Sequence, residues 1–230
     1  MRAALLAEEP LVRWDWVRDH QDEIVTRFWQ HVTLTVVAVG IGFVLAMAMA
    51  LVSVRWRRAY PAFTGVSGVL YAIPSLALFG ILIPFYGLGF RTAEVALVSY
   101  TLLILLRNIV AGIDGVPEAV REAADGMGYE GWRRLVSVDL PLALPTIVAG
   151  LRIATVTTVG LVTIAALVSA GGLGTFIDDG LGRDFPTPIV VGAVLSVLLA
   201  ITFDLFFVGV EWLLTPWARA GRRQARGRAS

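Results

Sequence analysis

Lysine and cysteine are both absent from this chain of 230 residues, and each of its 19 basic side chains is an arginine. A phosphate-binding P-loop requires a lysine, so any ATP hydrolysis linked to this chain must be supplied by a partner protein. The absence of cysteine excludes disulfides, thiolate nucleophiles and cysteine-bound metals. The two histidines, His20 and His31, are far apart in sequence and no carboxylate pattern converges on them. We therefore expect no catalytic, cofactor-binding or metal-binding residues on this chain.

Hydrophobic residues make up 57% of the chain, and its mean hydropathy is +0.75. A soluble domain is only about half apolar even when glycine is counted. The chain is therefore predicted to be an integral membrane protein of the all-α class. Because roughly twenty apolar residues of helix cross a bilayer, about five stretches qualify as transmembrane helices. They are residues 32–54, 62–84, 93–113, 142–168 and 189–214.

The placement of arginine predicts the orientation in the membrane, because cytoplasmic loops carry an excess of basic residues. Several arginines follow the first, third and fifth spans, whereas each of the other two loops carries one. The predicted cytoplasmic group is Arg55, Arg57, Arg58, Arg121, Arg133, Arg134, Arg219, Arg222, Arg223, Arg226 and Arg228. This orientation places the N-terminus outside the cell, and it places residues 215–230 in the cytoplasm as a basic tail. The predicted partner of the chain is the lipid bilayer, and no nucleic acid is expected.

Residues 1–30 are predicted to form an amphipathic segment on the outer side. Acidic residues interrupt the stretch MRAALLAEEP before an apolar core can form, so we expect no signal peptide. Trp14, Trp16 and Trp29 alternate with charged residues, and indole rings are favoured at the membrane interface. The alternative is that this segment only leads into the first span. In either case, residues 31–214 are predicted to form one transmembrane domain.

A long polar interruption, residues 117–145, overlaps the predicted loop 114–141 on the cytoplasmic side. Read as a helix, it has one apolar and one charged face, which predicts docking on a partner. The apolar face consists of Val116, Val120, Ala123 and Met127, flanked by Ala119 and Ala124. The charged face consists of Glu118, Arg121, Glu122 and Asp125. The alternative is a solvated helix between two spans.

Proline and glycine predict the limits of this docking helix. Pro117 suits its first turn, and Gly126 and Gly128 supply the freedom to end it. A second short helix is predicted over residues 130–138, with Pro141 and Pro145 closing the unit.

Two further segments are candidates for the translocation path or its gate. Pro74 lies near the middle of the second predicted span, next to Tyr71 and Ser75, and is predicted to kink the helix. Gly171, Gly172 and Gly174 permit a tight or re-entrant turn at the outer face. The alternative for Pro74 is that neighbouring helices satisfy the backbone group it leaves free, without any role in transport. The alternative for the three glycines is a simple turn.

Charged residues within the predicted spans are the third set of candidates, since an isolated charge there costs at least a few kcal/mol. They are Arg107, Arg152, Asp204 and Glu211. Arg152 and Asp204 both fall roughly 15 Å from the cytoplasmic end of their spans, which predicts an ion pair between them. Arg107 is the competing partner for Asp204. A contact with solute is the alternative to a structural pair.

The polar loop resembles the EAA loop of the permease subunits of ABC importers. That pattern is present as Glu122-Ala123-Ala124, then Gly128, then Val138-Asp139-Leu140-Pro141. The resemblance implies that Glu118, Arg121, Glu122, Ala123, Ala124, Gly128, Leu140 and Pro141 couple the chain to a cytoplasmic ATPase. Glu122 would make the charged contact, Ala123 and Ala124 would allow close approach, and Gly128 would set the angle to the next helix.

Wider stretches resemble the osmoprotectant branch of these permeases, which import glycine betaine, carnitine, choline and proline. They are YAIPSLALFGILIPFYGLG (71–89), LLRNIVAGIDGVP (105–117), EAADGMGYEGWRRLVSVDLPLALPTIVAGLRIATV (122–156) and LVSAGGLG (167–174). The resemblance implies a type I ABC importer permease fold in the bacterial inner membrane. It further implies a second permease copy, like or unlike, an ATPase that holds ATP and Mg²⁺, and an external solute-binding protein.

Other functions remain open at this point. Within ABC importers, the solute could instead be methionine, another amino acid or ergothioneine. Outside them, an ion-coupled secondary transporter would need ion ligands at the membrane midplane, and the sequence shows no such pattern. A membrane anchor subunit would explain the docking helix but gives no reason for Pro74 or the outer glycines.

Overall fold

The computed structural model of the chain describes residues 11–216, and within that range every regular element is helical. The predicted basic tail and the stretch MRAALLAEEP therefore lie largely or wholly outside the described residues. The α-helices are α1 (Trp14–Asp19), α2 (Gln21–Arg55), α3 (Ala59–Ala72), α4 (Ser75–Tyr86), α5 (Phe90–Asp114), α6 (Glu118–Gly126), α7 (Gly131–Arg134), α8 (Leu140–Ala165), α9 (Gly174–Gly182) and α10 (Pro186–Leu214).

Four helical segments of the described range are long and apolar enough to cross a membrane. They are Gln21–Arg55, Phe90–Asp114, Gly131–Val168 and Pro186–Leu214. The consecutive helices α3 and α4 give a fifth span if they are taken as one broken helix. This confirms the all-α membrane fold with about five spans. Long apolar helices satisfy their own backbone groups, which is what a bilayer requires.

The second predicted span is broken at Pro74 and is not merely kinked there. Helix α3 ends at Ala72, and α4 begins at Ser75. Pro74 itself has an extended backbone, with φ −55° and ψ 134°. Proline has no N–H for the helical ladder, and it disfavours the helical conformation of the residue before it, which is Ile73 here.

The predicted end of the polar loop at Pro141 and Pro145 is wrong. Helix α7 passes into a π-helical turn, Leu135–Asp139, and this turn continues directly into α8. Pro141 is the second residue of α8 and directly follows the π-helical turn, and Pro145 lies inside the same helix. The helical run from Gly131 to Val168 is therefore unbroken by either proline.

The chain divides into two compact units. Unit 1 comprises Met1–Ala38, Ile73–Leu97 and Thr158–Ala200, and unit 2 comprises Val39–Ala72, Val98–Thr157 and Ile201–Ser230. In unit 1, Phe79, Leu97 and Leu173 are fully buried. The indole of Trp16 packs edge-on against the rings of Phe176 and Phe185, with centroids 5.8 and 6.1 Å away. These contacts attach α1 to the α9 region of the same unit.

The core of unit 2 is built by the close approach of α5 to α8. Leu106, Ile109 and Ile147 are buried in one cluster with Ala143. A Cβ placed on Gly112 of α5 would lie 3.0 Å from the backbone oxygen of Ala143. A side chain there would make a tighter contact than is usual for a Cβ, so glycine favours this close approach of the two helices. The cluster fixes the C-terminal half of α5 against the beginning of α8.

Candidate functional site

Helix α6 occupies the position predicted for the docking helix. It begins at Glu118, and Pro117 occupies the N-cap position with non-helical backbone angles, φ −58° and ψ 137°. It ends at Gly126, and the Tyr129 N–H donates to the Ala124 carbonyl over 2.9 Å. That closing bond requires a left-handed residue after the helix, and Gly128 supplies it with φ +82°. The predicted role of Gly128 in ending the helix is therefore seen in the backbone.

The predicted single apolar face of α6 is in fact divided between two sides of the helix. Val116 and Ala124 are buried against their own chain, and Ala124 is only 2% exposed. By contrast Val120, Ala123 and Met127 lie on the open side, where Met127 is 71% exposed. The prediction that Ala124 lies on the docking surface is therefore wrong. Its small side chain allows α6 to pack closely against the rest of unit 2.

Arg121 anchors α6 from the inner side, although the sequence pattern places it on the charged outer face. Its Nε donates to Asp139 Oδ1 over 3.3 Å, and its Nη2 donates to the Ile113 carbonyl. Asp139 is 4% exposed and also lies 3.6 Å from the Nε of Arg134. Arg134 in turn bonds Asp125 of α6. These bonds tie α6 to the end of α5 and to the π-helical turn that begins α8.

Asp139 is the centre of this network, and the sequence analysis did not single it out. It occupies the unrestricted position of the motif, between Val138 and Leu140, so the pattern assigns it no role. A buried carboxylate needs charged or polar partners, and two arginines provide them here. The acidic residue directly before Leu140-Pro141 was the available signal, but its partner could not be chosen among the arginines of the loop without the fold.

The other predicted coupling residues fall into an exposed and an anchored group. Glu118 and Glu122 are exposed on the open side of α6, with Glu118 4.0 Å from Arg121. Leu140 packs against the core cluster of unit 2, and Pro141 follows it in the first turn of α8. Glu118 and Glu122 are thus available to a partner, whereas Leu140 holds the base of α8.

Arg152 and Asp204 form the ion pair that the sequence predicts. Arg152 Nε donates to Asp204 Oδ1 over 2.8 Å, and Nη2 donates to Oδ2 over 2.9 Å. The competing Arg107 is exposed on α5, and within residues 11–216 no hydrogen bond or ion pair joins it to Asp204. The pair is not enclosed, since the two side chains remain 31% and 37% exposed. It lines a cavity of about 390 Å³ together with Ala149, Ile153, Val156 and Thr157.

The predicted outer glycines are held by polar side chains of α2 within unit 1. Gly171 and Gly172 have φ of +83° and +82°. The Gly172 N–H donates to Gln30 Oε1 over 3.1 Å, and the Leu173 N–H lies 3.3 Å from His31 Nδ1. The other ring nitrogen of His31 lies 3.0 Å from the Val159 carbonyl. Fully buried His31 therefore serves the turn in its neutral form, donating from one nitrogen and accepting at the other.

The remaining path candidates occupy separate positions. Gly174 begins α9, and a Cβ there would collide with the backbone of Thr163. Pro74 and Ser75 form the start of α4 in unit 1. Tyr71 belongs to unit 2, where its half-exposed ring packs edge-on against Tyr100 at 5.9 Å. The glycine turn is thus a packed element of unit 1, and Tyr71 packs within unit 2.

Comparison with known proteins bears on the meaning of this arrangement. Residues 38–211 match the family described as "Binding-protein-dependent transport system inner membrane component". The chain is 34% identical over 206 residues to the osmoprotectant import permease protein OsmW of Salmonella typhimurium, covering 87% of this chain and 96% of that protein. It is 34% identical to the carnitine transport permease protein OpuCB of Listeria monocytogenes, covering 87% and 92%. It is 35% identical to the choline transport system permease protein OpuBB of Bacillus subtilis, covering 84% and 89%.

Solved structures share the fold. An inward-facing crystal structure of the MetNI methionine ABC transporter matches with a TM-score of 0.74 and 23% identity, covering 84% of this chain and 96% of that one. An amino acid ABC transporter crystallised with histidines matches with a TM-score of 0.74 and 18% identity, covering 87% and 98%. The helical fold is therefore that of ABC importer permeases. Together with the match over residues 38–211, it shows that this chain belongs to the family of binding-protein-dependent transport system inner membrane components.

Proposed function

We propose that this chain is the permease subunit of an ATP-driven importer for a small osmoprotectant of the glycine betaine, carnitine, choline or proline type. The observation that carries the choice of solute is the set of relatives, which are named for osmoprotectant, carnitine and choline import and align over most of both chains. The methionine and amino acid transporters share only the fold at their level of identity. Import of methionine, another amino acid or ergothioneine is the alternative.

The open side of α6 is the surface we assign to the ATPase. It presents an apolar centre formed by Val120, Ala123 and Met127, with the carboxylates of Glu118 and Glu122 beside it. A helix with an exposed apolar face is suited to a groove on a partner, and acidic flanks favour a basic rim around that groove. The partner ATPase would hold ATP and Mg²⁺, because this chain has no lysine for a P-loop.

The bonds of Arg121 give this surface a mechanical connection to the membrane helices. When the ATPases close on ATP, a movement imposed on α6 is passed through Asp139 to the base of α8 and through the Ile113 carbonyl to the end of α5. A charged network that joins rigid helices can transmit displacement without bending them. Alternating access of the permease would then follow from the motion of α5 and α8.

This mechanism fixes an orientation and a set of partners. Helix α6 lies on the cytoplasmic side, in agreement with Arg55, Arg57 and Arg58 at the end of the first span, and the N-terminus lies outside. A second permease copy, like or unlike, completes the translocation path in the bacterial inner membrane. An external solute-binding protein delivers the solute to the outer face, where the turn at Gly171 and Gly172 is located.

The test is reconstitution of the chain with its ATPase in liposomes, with and without the external binding protein. We expect glycine betaine, carnitine, choline or proline to stimulate ATP hydrolysis and to accumulate inside, and methionine, histidine and ergothioneine to do neither. Uptake of methionine, histidine or ergothioneine in place of these solutes would overturn the choice of solute. Uptake that continues after ATP is removed but follows an ion gradient would overturn the assignment to an ATP-driven importer.

A further inference from the structure

The ion pair of Arg152 and Asp204 lies deep in the membrane. Arg152 is twelve residues beyond Leu140, at the base of α8, and Asp204 is ten residues before Leu214, at the end of α10. At about 1.5 Å per residue these positions are roughly 18 and 15 Å from the helix ends, near the middle of a hydrocarbon core of about 30 Å. Polar residues at this depth face partners, water or solute rather than lipid.

The pair is half open to a cavity. Its side chains remain 31% and 37% exposed, and this partial exposure spares both charges the desolvation cost of full burial. The cavity of about 390 Å³ falls in the range of roughly 300–1,000 Å³ that is usual for small-molecule sites. Its wall combines the two charges with the aliphatic side chains of Ile153 and Val156 and the hydroxyl of Thr157.

Both charged groups keep capacity for a ligand. Arg152 uses Nε and Nη2 for Asp204, so its Nη1 donors are not spent on that pair. A guanidinium has five N–H donors, and an ionised carboxylate accepts about four hydrogen bonds, so each group can serve the other and a ligand together. A ligand that carries one negative and one positive group would leave the site neutral overall. A ligand with a single positive charge would leave one net charge near the middle of the membrane.

We propose that Arg152 and Asp204 form a binding site for a zwitterionic, N-methylated solute on its way through the permease. Arg152 binds the solute carboxylate, Asp204 faces the quaternary ammonium, and Ile153 and Val156 contact its methyl groups. The site prefers glycine betaine and carnitine over choline, which lacks the carboxylate. This inference rests on the proposed function, because it specifies how an osmoprotectant is held by this chain.

The experiment measures equilibrium binding of radiolabelled glycine betaine to the intact permease–ATPase complex in nanodiscs, without the external binding protein. We expect saturable binding that Arg152→Gln and Asp204→Asn each weaken at least about tenfold, as for loss of one charged hydrogen-bonding partner. Unlabelled choline should compete at least about tenfold less well than unlabelled carnitine. The matched controls are Arg57→Gln and Asp114→Asn, which break another bidentate pair of unit 2, with bonds of 2.7 and 2.6 Å, outside the cavity. These controls should bind as the original chain does.

A second variant leaves the charges in place. Ala149→Leu adds bulk to the cavity wall without removing an atom of the ion pair, and it should weaken binding by about tenfold or more. If Arg152→Gln and Asp204→Asn fail to assemble with the ATPase, Ala149→Leu alone still tests the inference. Unchanged binding in assembled Asp204→Asn or in Ala149→Leu overturns the inference, as does absence of saturable binding in the original chain. If that original chain still imports glycine betaine in liposomes, the proposed function stands while the site fails.

Discussion

Replacing Arg121 by glutamine removes two of the bonds that attach α6 to the end of α5 and to the turn before α8. The change eliminates a charged bond to Asp139 and a bond to the Ile113 carbonyl, while Asp139 keeps Arg134 at 3.6 Å. A hydrogen bond to a charged group contributes roughly 1.5–3 kcal/mol, and because Arg121 is partly exposed we expect a total loss of about 2–4 kcal/mol. At 1.4 kcal/mol per factor of ten, the equilibrium for detaching α6 from the rest of unit 2 should shift toward the detached state by a factor of roughly 30 to 700.

Two measurements on the reconstituted transporter test this loss. Hydrogen exchange of the backbone amides in Glu118–Gly126 should accelerate by the same factor. The number of solute molecules imported per ATP hydrolysed should fall, because the ATPases still close but the movement no longer reaches α8. Arg133→Gln is the matched control, since Arg133 stacks over the Tyr129 ring at 4.5 Å and has no bond to Asp139. Exchange and stoichiometry that stay normal in Arg121→Gln would refute the role of this arginine.

Four further substitutions test the docking surface of α6 and the packing of the two units. Ala123→Glu, on the open side of α6, should block association with the ATPase in pull-down assays and leave the thermal stability of the permease unchanged. Ala124→Glu should lower that thermal stability, because the Ala124 side chain is only 2% exposed. Gly112→Val should destabilise unit 2 by about 1–3 kcal/mol in thermal unfolding, since its Cβ would lie 3.0 Å from the Ala143 oxygen. Gln30→Ala should cost about 1 kcal/mol in local protection of the Gly172 amide, read by hydrogen exchange, and unchanged protection would contradict the proposed anchoring.

The helical architecture could be read from the sequence because its cause is local. Apolar runs of about twenty residues have one stable form in a bilayer, so α2, α5, α8 and α10 follow from composition. A kink at Pro74 was predicted from the missing N–H of proline, and the structure shows a full break there. Arg152 and Asp204 could be paired because their depths depend only on helical rise and on the orientation given by the arginines.

The inner face of α6 could not be read in the same way. Helical periodicity groups Val116, Val120, Ala123 and Met127 on one side, with Ala119 and Ala124 beside them. It cannot show that part of this side is covered by α5 and the beginning of α8. Arg121 looked like a surface charge because its partner is eighteen residues downstream. Pro141 and Pro145 gave a misleading stop signal, because the π-helical turn at Leu135–Asp139 continues directly into α8.

The surface that meets the ATPase can be located directly because the chain contains neither cysteine nor lysine. A cysteine introduced as Val120→Cys on α6 can carry a linker whose other end reacts with amines, and the lysines it captures must then belong to a partner. Val44→Cys is the matched control, since Val44 is also exposed but lies within the apolar helix α2. The account predicts a covalent product with the ATPase from Val120→Cys and none from Val44→Cys in the assembled, ATP-hydrolysing complex. The reverse result, or no product from Val120→Cys in a complex that imports solute, would contradict the assignment of α6 as the coupling helix.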